Sequence, residues 1–219
     1  NTVVATIPVG TAPNGVAVSA AANRIYVANY AGNTVSVIDG ATNSVIATRS
    51  TGSEPSMIAV NPATDRIYVS NHGSGTVSVL RGSDSAVIQT ITLPGSIDPY
   101  GVSVNPATNR VYVVTIADGK LFTIDGASGA VLGAAMPPGG GTLWQVAANP
   151  LTNHVLVTSS APGAPRAFVL DAGTGQWLAS GPLPLGQNPE QGIALDPASG
   201  RIYVANEGSN TVTVIQDCR

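Results

Sequence analysis

Short apolar runs separated by clusters of Asn, Gly and Pro fill the 219-residue chain from end to end. The clearest run is Arg24-Ile25-Tyr26-Val27-Ala28-Asn29. It returns as Arg66-Ile67-Tyr68-Val69-Ser70-Asn71, as Arg110-Val111-Tyr112-Val113-Val114-Thr115, in worn form as His154-Val155-Leu156-Val157-Thr158-Ser159, and cleanly as Arg201-Ile202-Tyr203-Val204-Ala205-Asn206. Val, Ile, Tyr and Thr at period two fit a pleated, half-buried surface, so each run predicts a strand. Around the first copy the pattern predicts strands over residues 15–19, 24–29, 34–39 and 44–48. The intervening Asn23, Gly32-Asn33 and Gly40-Ala41-Thr42-Asn43 accept positive φ and close tight hairpins. No helical period occurs.

The residue heading the signature stands at 24, 66, 110, 154 and 201, in steps of 42, 44, 44 and 47. Four short antiparallel strands per unit of this length make a β-propeller blade. Passing from Arg201 off the C-terminus and in again at Asn1 reaches Arg24 after another 42 residues. The expectation is an all-β, five-bladed propeller forming one domain over residues 1–219. Residues 1–6 read like residues 43–48, a fourth strand without its first three. The last unit has a second and third strand without a fourth. From Asp39 to Val45, and from Gln216 through the termini to Val3, are both six residues. The N-terminal strand is therefore expected to complete the C-terminal blade and remove its open edge.

Composition narrows the function. Apolar residues make up 43% and charged residues 10% of a chain with net charge −3 and a single lysine, Lys120. Nucleic acid needs clustered Lys and Arg, and the arginines here are spread through the repeats, so it is excluded as a partner. No run of about 18 apolar residues predicts a membrane span. Lone Cys218 matches no disulfide or metal spacing. Few Lys and Glu, abundant Ala, Gly, Thr, Ser and Pro, and a start at Asn1 suit an exported product, secreted, periplasmic or at the cell surface.

The Tyr-Val-Ala-Asn and Tyr-Val-Ser-Asn runs are followed by Thr-Val-Ser-Val or Thr-Val-Thr-Val. With the links Asn61-Pro62-Ala63-Thr64 and Asn105-Pro106-Ala107-Thr108 and the turn Asp39-Gly40-Ala41-Thr42, they resemble the YVTN-type β-propeller repeat over essentially the whole chain. The resemblance implies kinship with surface-layer, adhesion and periplasmic binding propellers. More distantly it implies kinship with antibiotic lyase propellers and with gluconolactonase propellers, the latter holding a divalent ion near the channel mouth. Such relatives mostly have more than five blades.

A propeller sorts its loops onto two faces. The turns joining first to second and third to fourth strands are monotonous and read as turn geometry alone. On the other face the copies disagree: the links between blades vary, and the turns between second and third strands carry Tyr30, His72, Asp118, a longer loop over 160–166, and Glu207. All three glutamates, Glu54, Glu190 and Glu207, fall on this face, where a rigid scaffold usually places function. Asn14, Ser56, Tyr100, Trp144 and Gln191 open the innermost strands and are expected around the channel mouth. Tyr100 and Trp144 suit stacking on a sugar or another ring; the competing reading is that they plug a narrow channel. Glu54, Asp98 and Glu190 precede three innermost strands and, if they converge, suit Ca²⁺ or another divalent ion; otherwise they are solvated carboxylates.

Two functions follow. The first is an extracytoplasmic binding module for a small molecule, carbohydrate or protein, with Asn14, Tyr30, Ser56, Tyr100, Trp144, Gln191 and Glu207 at the ligand. The second is a small lyase or lactone hydrolase, with the ion on the three carboxylates and His72 and Glu190 as acid and base. The heads of the repeats, Arg24, Arg66, Arg110 and Arg201, with His154 as the worn copy, are expected to be structural.

Overall fold

The structure, a computed structural model, describes residues 1–160, 164–178 and 182–218. It is an all-β, five-bladed propeller whose only helical pieces among the described residues are two short 3₁₀ turns, His72–Ser74 and Glu207–Ser209. Blade one pairs β1 (Pro13–Ser19), β2 (Arg24–Asn29), β3 (Thr34–Asp39) and β4 (Ser44–Ser50) in sequence order. Blade two repeats this with β5 (Pro55–Asn61), β6 (Arg66–Asn71), β7 (Thr76–Arg81) and β8 (Val87–Thr92). Blade three has β9 (Pro99–Asn105), β10 (Arg110–Thr115), β11 (Leu121–Asp125) and β12 (Val131–Ala135). Blade four has β13 (Leu143–Asn149), β14 (His154–Ser159), β15 (Arg166–Asp171) and β16 (Gln176–Trp177), with β17 (Leu183–Pro184) also pairing β15. Blade five has three strands, β18 (Gly192–Asp196), β19 (Arg201–Asn206) and β20 (Thr211–Gln216). Asn23, Asn33 and Asn43 take φ of 48°, 53° and 53°, the left-handed turn positions for which their side chains suit them.

The backbone groups into two compact units, Asn1–Pro99 and Tyr100–Arg219, each described by itself. In the first, the back of blade one (Tyr26, Ala28, Val35 and Val37) meets the front of blade two (Ile58, Ile67, Val69 and Leu80) in one buried cluster. In the second unit, Tyr112, Val114, Leu143, Val146 and Phe168 join blades three and four, and Leu156, Ala167, Ile202 and Val204 join blades four and five. Burial pushes the Tyr26 and Tyr112 hydroxyls above the usual tyrosine range.

The Asn that ends the signature has a physical reason. Asn29 is fully buried, and its Nδ2 donates to Thr34 Oγ1 and Ser36 Oγ at 3.0 and 2.9 Å, tying β2 to β3. Asn71 does the same with Thr76 and Ser78, and Asn206 with Thr211 and Thr213. Thr115 and Ser159 hold this position in blades three and four, so it departs from Asn where the repeat is worn.

One expectation is corrected. Residues 1–9 carry no strand, Val3 and Val4 are 85% and 88% exposed, and among the described residues blade five keeps three strands. The six-residue count tests only whether a connection is long enough. A strand also needs a ladder, and residues 1–6 have none here.

Candidate functional site

In blades one, two, four and five the link entering the blade and the turn between its second and third strands are joined through the backbone. Tyr30 N–H donates to the Ala12 carbonyl at 2.9 Å, His72 to Glu54 at 2.9 Å, Ser160 to Thr142 at 3.3 Å and Glu207 to Asn188 at 3.2 Å. This bond brings the variable turn beside the variable link. The links bend at residues of positive φ before proline: Ala12 (52°), Glu54 (54°), Asp98 (59°) and Asn188 (52°). For Ala and Glu this conformation costs about 1 kcal/mol. Immediately afterwards the ladder shifts register, at Pro13/Val16, Pro55/Ile58 and Leu143/Val146. Bulges re-aim side chains, and Asn14, Ser56 and Trp144 sit inside these.

Two clusters result, one in each unit. In Asn1–Pro99 the Tyr30 hydroxyl donates to Glu54 Oε2 at 2.8 Å, and the Tyr30 and His72 rings lie tilted with centroids 6.1 Å apart. Glu54 is fixed on every side: its N–H donates to Asn33 Oδ1 at 2.8 Å, its carbonyl accepts His72, and its carboxylate occupies the space a side chain at Gly73 would take. In Tyr100–Arg219 the Trp144 and Tyr100 rings meet edge to face at 5.6 Å and 82°. The indole N–H donates to Ser160 Oγ at 2.7 Å, and both rings are half-buried. Behind them Gln145 Nε2 donates to the Glu190 carbonyl at 3.0 Å. Clefts of about 400 and 300 Å³ lie elsewhere in this unit, beside Arg166 and Pro184 and beside Arg110 and Tyr112. The aromatic pair presents half-buried ring surface on the variable face.

The remaining expected residues are dispersed. Asn14, Gln191 and Glu207 are exposed. Ser56 is fully buried with its hydroxyl donating to the Glu54 carbonyl at 3.2 Å, which places it beneath the link and out of a ligand's reach. No three His, Cys, Asp or Glu side chains gather as metal ligands among the described residues, and the Glu54 carboxylate holds Tyr30 instead.

The opposite face is local in its chemistry. Asp39 Oδ1 accepts the Ala41 and Thr42 N–H groups and the Thr42 hydroxyl. Asp125, Asp171 and Asp196 repeat the pattern. Donors aimed at the ionised form hold these carboxyls low: the Ser128 N–H first among them brings Asp125 to about 2. The heads of the repeats are each bonded, though not to a common partner. Arg24 reaches the Gly82 carbonyl, Arg110 pairs with Asp125 at 2.5 Å, and Arg201 donates to Gln216 at 3.3 Å. His154 Nδ1 lies 2.7 Å from Asp217 Oδ1, and Asp217 Oδ2 also accepts Asn149 and Thr152 at 2.7 and 2.5 Å. That partly buried pair was not foreseen, because its partners are 63 residues apart and no motif joins them.

No protein-family model matches the chain, and no curated protein sequence does. The YVTN resemblance therefore rests on the repeat residues alone. Solved structures match in fold. A candidate 6-phosphogluconolactonase from Bacteroides uniformis is 15% identical with a TM-score of 0.79, over 99% of this chain and 70% of that one. The β-propeller domain of Cps50 (Swd1) from Myceliophteria thermophila is 12% identical with a TM-score of 0.77, over 94% and 65%. Kuenenia stuttgartiensis hydrazine synthase is 17% identical with a TM-score of 0.74, over 99% and 80%. At such identities the likeness defines the class, a β-propeller, and nothing finer.

Proposed function

We propose that the chain is an extracytoplasmic binding propeller and that Tyr100 and Trp144 form the platform on which a carbohydrate stacks. The observation that carries this reading is the perpendicular, half-buried ring pair on the variable face, its indole N–H already held by Ser160. An apolar ring face with polar rims nearby matches a sugar, whose C–H groups cover one face and whose hydroxyls ring the edge. Tryptophan and tyrosine, with two side-chain torsions each, also carry little conformational entropy to lose on binding. The export half of the proposal rests on composition. The binding half is tested by calorimetric titration of a panel of neutral and acidic oligosaccharides. At least one should bind to the parent and lose tenfold or more in affinity with Trp144→Ala; a panel that leaves the parent silent would reject the platform.

A second reading has its own support. Tyr30, Glu54 and His72 place a phenol, a carboxylate and an imidazole on three neighbouring loops, and a candidate 6-phosphogluconolactonase shares the fold. A lactone hydrolase adds water across the ring ester, and His72 would take the water's proton as Glu54 and Tyr30 orient it. Lactone turnover that vanishes in both His72→Ala and Glu54→Gln would establish this reading; turnover that survives them would refute it. Added Ca²⁺ should leave the melting temperature unchanged under either reading.

A further inference from the structure

Two blade boundaries are built from matching residues, and one of them stays open. In Asn1–Pro99 the row Tyr26, Val37 and Ala47 crosses β2, β3 and β4 and packs on blade two. Arg24 reaches the Gly82 carbonyl of that blade, and the Tyr26 hydroxyl donates to the same oxygen at 3.4 Å. In Tyr100–Arg219 the matching row is Tyr112, Thr123 and Gly133 across β10, β11 and β12. Val has become Thr, and Ala has become Gly. The residue matching Gly82 is Ala172: Gly82 N–H donates to the Asp65 carbonyl, and Ala172 N–H to the Asn153 carbonyl. Neither Arg110 nor Tyr112 bonds to Ala172. Arg110 turns to Asp125 instead, and the Tyr112 hydroxyl has no hydrogen-bond partner among the described residues.

A cleft of about 300 Å³ lies at this boundary, lined by Arg110, Tyr112, Thr123, Gly133, Leu170 and Ala172 among others. That volume is at the lower bound of small-molecule sites. A Cβ built at Gly133 would meet nothing within 4 Å, so the missing side chain leaves real space. Tyr112 is 2% exposed, and its hydroxyl is not sealed away from the cleft that the residue lines. Buried polar groups in folded proteins are hydrogen-bonded, so an orphan donor on a cleft wall marks the place of an acceptor. Burial holds that hydroxyl above the usual tyrosine range, which keeps its proton in place. The charges beside it cancel. Arg110 is paired at 2.5 Å with Asp125, whose other oxygen is already filled by the Ala127 and Ser128 N–H groups.

We propose that this cleft binds an uncharged small molecule with an apolar body and one carbonyl oxygen. The carbonyl accepts the Tyr112 hydroxyl, as the Gly82 carbonyl accepts Tyr26 at the closed boundary. The body lies against Gly133, Leu170 and Ala172, which offer no polar side chain. An anion is disfavoured, because it would lose its water beside a guanidinium already neutralised by a carboxylate. The ligand thus completes a contact that the chain makes for itself between blades one and two. This site is separate from the ring pair of Tyr100 and Trp144, and it stands whether or not a saccharide binds there.

Benzamide, acetophenone and cyclohexanone serve as probes, with benzoate as the charged comparator. Trp177 pairs with Leu170 of the cleft wall across β15 and β16, so its indole N–H signal should move as a carbonyl probe is titrated into the parent. Gly133→Val fills the open space and should abolish that movement. Tyr112→Phe keeps the ring and should weaken the same probe about fivefold or more. Both variants should melt at or above the parent's temperature, because one enters open space and the other removes a hydroxyl that bonds to no described residue. Circular dichroism checks each fold, and either variant alone decides the location. Benzoate should bind about tenfold more weakly than benzamide. A parent that binds none of the three carbonyl probes, an affinity unchanged in the folded variants, or benzoate binding as tightly as benzamide would overturn the proposal.

Discussion

The turn face and the link face of each blade are both rich in polar groups, yet those groups do different work. On the turn face Asp39, Asp125, Asp171 and Asp196 accept hydrogen bonds from groups two and three residues ahead. On the link face Tyr30 reaches Glu54 across 24 residues and Trp144 reaches Ser160 across 16. Local bonds would form in an isolated loop. Distant ones form only when strands of a blade have paired or neighbouring blades have met, and they report the tertiary fold. Repetition thus marks chemistry the hairpins need for themselves, and variation marks side chains released from that duty.

The most damaging way to break this contrast is Gly101→Ala. A Cβ there would lie 2.7 Å from the Trp144 carbonyl oxygen and 3.0 Å from Gln145 Cα, backbone atoms that cannot step aside. Overpacking of this kind costs about 1–3 kcal/mol, and it should appear as a lowered urea midpoint together with weakened saccharide binding. Trp144→Ala comes next and separates the two effects: binding should fall tenfold or more, with stability changed by less than for Gly101→Ala because the ring is half-exposed. Tyr30→Phe removes one hydroxyl donor to a carboxylate on a partly exposed link, and thermal denaturation should show a loss of about 1 kcal/mol.

The smallest effect belongs to the turn face. Asp125 sits at about 2 in the folded chain, below its unfolded value of about 3.9. Its stabilising contribution is therefore complete above about pH 4 and is lost as pH falls towards 2. Asp125→Asn should flatten the acid limb of the stability profile in that window and leave the profile above pH 5 parallel to the parent's. A variant as acid-sensitive as the parent would show that the turn carboxylate adds nothing.

The repeat made the blades legible in advance. β2 and β3 fall on 24–29 and 34–39, as their alternation requires, because a strand buried on a neighbouring blade keeps a strict pattern. The assignment of Tyr30, Glu54, His72, Tyr100 and Trp144 to one class of loop was also legible, since loop order follows strand order. Their pairings were not. Glu54 meets Tyr30 because the bond from its N–H to Asn33 Oδ1 ties its link to the turn that carries Tyr30. The pair His154 and Asp217 was hidden for the opposite reason: a worn head residue chose a partner from another blade, beyond any local pattern. The N-terminal strand failed because similarity of sequence supplies a strand's preference and never its partner.

The central claim is that a ligand lies against the Trp144 ring. The protein has two indoles, Trp144 on the link face and Trp177 packed against Phe168 at 6.1 Å in blade four. Their N–H resonances in a proton–nitrogen correlation spectrum give one reporter at the site and one control. On titration with a saccharide that binds, the account predicts that the Trp144 signal moves to saturation and the Trp177 signal stays in place. Binding with the Trp144 signal unmoved would contradict it.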